Sequence, residues 1–251
     1  MRFLFFALVF HALYPANAAN IELGIADDRV EVDTSFAGAK LTLFGAVTGI
    51  EDPSNEVDII SVIRGPEARF QIRQIEKNRL IYVPGTTHHV ERAPGLYLTN
   101  STRPVTDIAP LPLQDQYRLG AEFLDFDIQS PETHSDEIDK TLLYREAFLN
   151  EARSLGLYEA RIGGIEFKKG ALFTINARLP ANTPVGEYSV SVYLFRNGEL
   201  LSTDHAELGV NRVGVERRLY DFAFERPISY GVFCVIVSLF AGWIASVAFR
   251  K

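Results

Sequence analysis

The 251-residue sequence holds one cysteine, one methionine and one tryptophan. A single thiol excludes a disulfide scaffold and every multi-cysteine metal site. The lone methionine is Met1, so there is no methionine-rich copper site. Basic residues are in the minority, 25 Lys and Arg against 32 Asp and Glu. A chain of net charge −7 lacks the basic surface that neutralises phosphates, which argues against nucleic-acid binding. Gly-x-Ser-x-Gly, His-Glu-x-x-His and a glycine-rich phosphate loop are missing too. At 47% hydrophobic and 23% charged, the chain is neither disordered nor collagen-like.

Charge is scarcest at the two ends. Met1-Arg2 precedes an apolar run from Phe3 to Tyr14, then Pro15-Ala16-Asn17-Ala18-Ala19. This reads as a secretory signal peptide, residues 1–18, cleaved after Ala18. From Ile228 to Phe249 there is no Asp, Glu, Lys, Arg or His. A helix of that length rises roughly 33 Å and crosses a hydrocarbon core of about 30 Å. Arg226-Pro227 and Arg250-Lys251 bound it, and Tyr230 and Trp243 are its interfacial aromatics. The expected topology is an exported domain over 19–227, a transmembrane helix over 228–249 and a cytoplasmic tail of 250–251. That places the protein in a bacterial inner membrane with its N-terminal domain in the periplasm. Arg212, Arg217, Arg218 and Arg226 run against the positive-inside bias, but long domains translocate largely regardless of charge. With Arg2, Arg250 and Lys251 set aside, the exported part has 22 basic and 32 acidic residues, a net −10. Its surface suits solvent or a cationic partner rather than anionic lipid.

The exported part alternates as strands do. Ala39–Val47 sets Leu41 and Leu43 against Thr42 and Phe44, and Val57–Ile63 is an apolar β-branched run. Phe70–Val83 reads as a hairpin turning near Lys77-Asn78, and Leu96–Leu98 as a short strand. Between 114 and 157 the period becomes helical. Asp136 caps a predicted helix with Ile138, Leu142, Leu149 and Ala152 on one face, stopped at Gly156; a shorter helix covers 114–124, and 125–135 is a loop. Strands return at 165–167, 172–179 and 189–195, with Tyr188, Val190, Val192 and Leu194 on one face. Asn197-Gly198 is a type I′ hairpin turn leading into a return strand from Leu200. Together these predict a mainly β sandwich with an inserted helical segment.

Candidate chemistry is sparse. His88, His89 and Glu91 form the densest set of metal donors, with His134 and His205 elsewhere; adjacent histidines on a strand point to opposite faces. Asp125, Asp127, Glu132, Asp136, Glu137 and Asp139 crowd one stretch, where helix-start electrostatics account for them better than a glycosidase pair. Asn100-Ser101-Thr102 reads as a polar turn. Cys234, Ser238, Gly242 and Ser246 recur every four residues along the span, a small-residue stripe that fits helix association. The leading expectation is a non-enzymatic module without cofactor, held by the lipid bilayer and contacting another membrane protein or its own copy. The alternative is a periplasmic ligand- or metal-binding protein.

Pro180-Ala181-Asn182-Thr183-Pro184-Val185-Gly186-Glu187-Tyr188 resembles the late hairpin of immunoglobulin-like sandwiches of bacterial surface proteins, where such a loop feeds a core tyrosine. Taken with Ser35–Ala46, Gly95–Leu98, Arg103-Pro104, Gly156–Tyr158, 179–198, Tyr220–Ala223, Tyr230-Gly231 and Gly242-Trp243, the chain resembles an alphaproteobacterial transmembrane protein family of uncharacterised function. The resemblance implies a signal peptide, an exported immunoglobulin-like β domain and one C-terminal span. It also implies a sulfite-exporter-like permease as partner, and it carries no catalytic residues.

Overall fold

The alternation at Leu41 and Leu43 becomes strand β3 (Ala39–Thr48), both side chains inward and Phe44 outward. The computed structural model describes residues 19–25, 29–32, 37–78, 81–129, 137–168, 170–212 and 222–248. The signal-peptide segment, Asp136 and residues 213–221 lie outside them. In the first sheet β3 lies between β1 (Asn20–Gly24) and β11 (Leu172–Leu179), with β10 (Ile165–Phe167) beyond, all antiparallel. The second sheet runs β2 (Arg29–Val32), β13 (Glu199–Arg212), β12 (Gly186–Arg196), β4 (Asp58–Arg64), β7 (Tyr97–Ser101) and β9 (Tyr158–Ile162). Its two edge strands, β2 and β9, pair parallel.

The sheets face each other across one core. Leu41, Leu43, Val47, Phe173, Ile175 and Leu179 meet Tyr188, Val190, Val192, Leu194, Ile59 and Ile63, all nearly or wholly buried. Burying each such side chain contributes about 1.5–3 kcal/mol. At one side the sandwich is closed by β13: Leu23 N–H donates to Asp204 Oδ2 at 2.7 Å, and Ser202 Oγ donates to Asn20 Oδ1.

The strand order β1-β3-β11-β10 against β13-β12-β4-β7 is that of immunoglobulin sandwiches, A-B-E-D against G-F-C-C′. A tyrosine corner marks the same fold. Tyr188 stands near the start of β12, buried, and its hydroxyl donates to the Pro184 carbonyl at 2.6 Å. Asn197 and Gly198 both have positive φ, 51° and 85°, as a type I′ turn requires. The expected mainly β sandwich with an apolar C-terminal helix is therefore the fold.

Strand β4 is buried on both faces because a second layer covers its outer side. That layer contains α2 (Val105–Ile108), α3 (Leu111–Gln116) and a 3₁₀ turn (Ala121–Phe123), while α1 (Pro53–Glu56) is a single turn in the β3–β4 connection. Tyr117 packs on Tyr193 at 5.4 Å, and Tyr97 donates its hydroxyl to the Arg118 carbonyl. The helix expected over 114–124 is thus two short pieces, broken where Arg118 takes a φ of 53°.

A β-arm extends the β4–β7 pair. Gly65 N–H donates to Leu96 O and Gly95 N–H to Pro66 O, so the ladder continues into β5 (Glu67–Asn78) and β6 (Ile81–Pro94). Glycine is needed at this junction: a Cβ on Gly65 would stand 2.8 Å from the Tyr188 ring, and one on Gly95 2.7 Å from Pro184. The hairpin read over 70–83 is therefore the outer part of a longer ribbon. Its base is widened by β8 (Asp127–Gln129), inside the stretch expected to be loop, and covered by α4 (Glu137–Ser154). Arm, β8 and α4 form an annex at the end of the sandwich where β13 finishes.

Two expectations are corrected. Leu142 is 58% exposed, because α4 packs through Tyr144, Phe148, Leu149 and Ala152 instead; the Ile138 side chain is outside the description. Asn100-Ser101 is buried strand within β7 and no turn, since these residues sit centrally between β4 and β9.

Candidate functional site

The metal-donor set is split by the strand that carries it. On β6, His88 is buried with its ring 3.9 Å from that of Tyr144, while His89 is exposed on the other face opposite Gln71 and Gln129. Glu91 shares the His89 face, where it accepts from Gln129 Nε2 at 3.0 Å and lies 3.8 Å from Arg69. His205 is exposed on β13, and His134 is outside the described residues. Among the described residues no three His, Cys, Asp or Glu side chains gather as metal ligands. The carboxylates are engaged by arginines: Asp125 by Arg118 and Asp127 by Arg92. Glu132 and Asp136 lie outside the description, as do the side chains of Glu137 and Asp139.

Among the openings in the described residues, two that emerge only from tertiary structure bear on function. The first is a polar pocket of about 410 Å³ at the turn end of the sandwich, walled by Asn55, Asp58, Thr102, Arg103, Phe167 and Asn197. In immunoglobulin variable domains loops at this end bind ligands. Here β13 carries it about 45 Å, at ~3.3 Å per residue, from the point where the chain leaves for the C-terminal helix. Asp58 organises the pocket: Arg103 Nε donates to it at 2.9 Å and Thr102 Oγ1 at 2.8 Å, and Thr102 in turn accepts from Ile59 N–H. The second is an apolar groove of about 440 Å³ between β5 and α4 in the annex.

The Arg103 hydrogen bond holds the Asp58 carboxyl below the usual aspartate value of 3.8, against the opposing effect of partial burial. A carboxyl depressed in the folded state adds stability that is complete above its unfolded pKa and is lost as pH falls through the folded value. Asp58→Asn should therefore flatten the loss of thermal stability below pH ~4, measured as melting temperature against pH. An acid limb as steep as that of the unaltered protein would remove this pair from the account.

The C-terminal helix, Pro227–Ala248, is long and apolar enough over Pro227–Ala245 to cross a membrane, and that window has none of its residues buried in the protein. Ser238 Oγ donates to Cys234 O at 2.8 Å, so its hydroxyl is satisfied along the helix. A Cβ on Gly242 would meet nothing within 4 Å. The Ser246 side chain is outside the description. Residues 222–225 are helical, and Phe222 packs its ring on Tyr230 and Phe233.

A family model described as "Putative transmembrane protein (Alph_Pro_TM)" matches residues 20–251. The chain belongs to this family. Its transmembrane character agrees with the single candidate span among the described residues. No curated protein matches the chain. Among solved structures, domain 1 of VCBP3 from Branchiostoma floridae aligns at 9% identity over 78% of this chain and 96% of that one, with a TM-score of 0.27. The site residues that sequence reading missed are Asp58, Thr102 and Arg103 in the pocket and Phe70, Phe148 and Leu155 in the groove. Phe70 and Phe148 carried a signal as apolar residues in periodic segments; the pairing of Asp58 with Arg103, 45 residues apart, carried none.

Proposed function

We propose that this family member is a non-enzymatic interaction module, held in a bacterial inner membrane by its one span with the sandwich in the periplasm. The observation that carries the reading is an immunoglobulin-like sandwich followed by an apolar helix that is unburied in the protein and has open space at Gly242. The partner is another membrane protein; the family resemblance favours a sulfite-exporter-like permease. Cys234, Ser238, Gly242 and Ser246 are the face that meets it.

Crosslinked co-purification of the full-length chain from native membranes tests this. A polytopic membrane protein should be recovered, and Gly242→Leu should lower its yield several-fold, because a leucine keeps the backbones apart. Recovery of no membrane-embedded partner would count against the module, and an unchanged yield from Gly242→Leu would remove the stripe.

A further inference from the structure

We infer that the groove between β5 and α4 receives an extended segment of a partner protein, with apolar side chains at alternate positions and acidic ones between them. The inference deepens the reading of the protein as an interaction module by naming a surface and the chemistry that fits it.

The backbone asks for a strand. Sheet order β5-β6-β8 leaves β5 at an edge, and residues 70–73 pair with 90–87 on one side only among the described residues. Alternate N–H and C=O groups of an edge strand point outward and template the pairing of another chain. Beside that edge lies α4, fixed by the Phe70 and Phe148 rings at 5.1 Å. The groove between them has Phe70, Ile72, Phe148 and Leu155 as its apolar walls, and Gln71, Arg73 and Glu151 line it as well. A groove between an edge strand and a helix binds extended peptides by adding a strand, its pockets taking every second side chain. Leu155, 48% exposed, is an apolar wall with one side open.

The charge pattern sets the other half of the sequence. Along β5, Phe70 and Ile72 are half-buried in the groove, while Arg69, Gln71 and Arg73 are exposed, Gln71 and Arg73 along the groove's rim. Arg69 has 85% of its side chain exposed, and its paired carboxylate, Glu91, is 3.8 Å away. Side chains directly opposite each other on paired strands attract when charges differ and repel when they match. An added strand sets the residues between its groove-filling ones beside exposed Arg69 and Arg73, where Asp or Glu fits. The same rule disfavours a second copy in the antiparallel register that sets Arg69 against Arg73.

The test uses the full-length chain in nanodiscs and a fluorescent peptide of about eight residues, a strand's length, alternating valine and glutamate. Its anisotropy should rise saturably. Replacing glutamate by lysine, or N-methylating the peptide amides, should weaken binding about tenfold or more, a difference that cross-strand charge and ladder hydrogen bonds supply together. Leu155→Glu puts a charge at a half-exposed wall and should abolish binding with the melting temperature unchanged. Arg69→Glu with Arg73→Glu should reverse the preference toward the lysine peptide. Absence of saturable binding, equal binding of the N-methylated peptide, or indifference to Leu155→Glu would each overturn the proposal. The peptide does not touch the span, so its failure leaves the co-purification result standing, and a failed co-purification leaves the groove standing.

Discussion

Phe148→Ala frees the annex from the sandwich without unfolding the sandwich. Phe148 is 3% exposed and its ring meets three others, Phe70 at 5.1 Å, Phe126 at 5.0 Å and Tyr158 at 5.7 Å. Those partners belong to the arm, to the segment leading into β8, and to the edge of the second sheet. One side chain on α4 thus pins three elements. Truncating a buried phenylalanine costs about 3–5 kcal/mol, cavity included, and each aromatic pair adds ~0.5–1.5 kcal/mol beyond area. The sandwich has its own ladder and core, so the loss falls on local opening. Amide exchange in the full-length chain should accelerate across α4 and the base of the arm, while β12 and β13 stay protected. Phe148→Leu, which keeps most of the volume, should recover most of the protection. Equal acceleration across β12 and β13 would mean that annex and sandwich open as one unit, contrary to this account.

What the sequence disclosed follows from how many residues each signal needed. Strands β3 and β12 show their inward faces over several alternations, and Asn197-Gly198 states its turn in two residues, so those parts of the sandwich were readable. The immunoglobulin topology was harder to read because its usual markers are elsewhere. Val190 stands two residues after the corner tyrosine, where antibody domains have their second cysteine, and the chain's cysteine and tryptophan, Cys234 and Trp243, are both in the span. Strand β8 is three residues in an acidic stretch, too short for any period to register. The buried face of α4 is hidden from a count of apolar residues because amphipathic side chains set it. Arg145 lays its guanidinium 4.3 Å over the Phe126 ring and donates to Leu124 O, and Tyr144 stacks on His88, so the helix is rolled away from Leu142. The split of His88 from His89 was legible, since strand alternation alone decides it. The groove was not: its walls come from segments some 80 residues apart, and only the ladder that makes β5 an edge brings them together.

Gly45→Ala should lower the stability of the sandwich by about 3 kcal/mol, the upper end for overpacking a core. Gly45 lies on the inward side of β3, paired with Leu23 on one flank and Phe173 on the other. A Cβ there would stand 2.1 Å from Phe173 Cζ and 2.6 Å from the Glu22 carbonyl oxygen. The ring can swing, at the expense of its own packing; the carbonyl cannot move without opening the β1–β3 ladder. Both obstacles therefore contribute, and a double-mutant cycle separates them. Phe173→Leu withdraws the far end of the ring, so Gly45→Ala should cost roughly 1 kcal/mol less in that background than alone, the size of coupling expected between residues in contact. The remainder belongs to Glu22 and should persist whatever stands at 173. In thermal unfolding the single change corresponds to a fall of about 10 °C for a domain of this size. Simple additivity of the two substitutions would show that the ring is no obstacle, and that the whole cost of a side chain at 45 is borne by the backbone of β1.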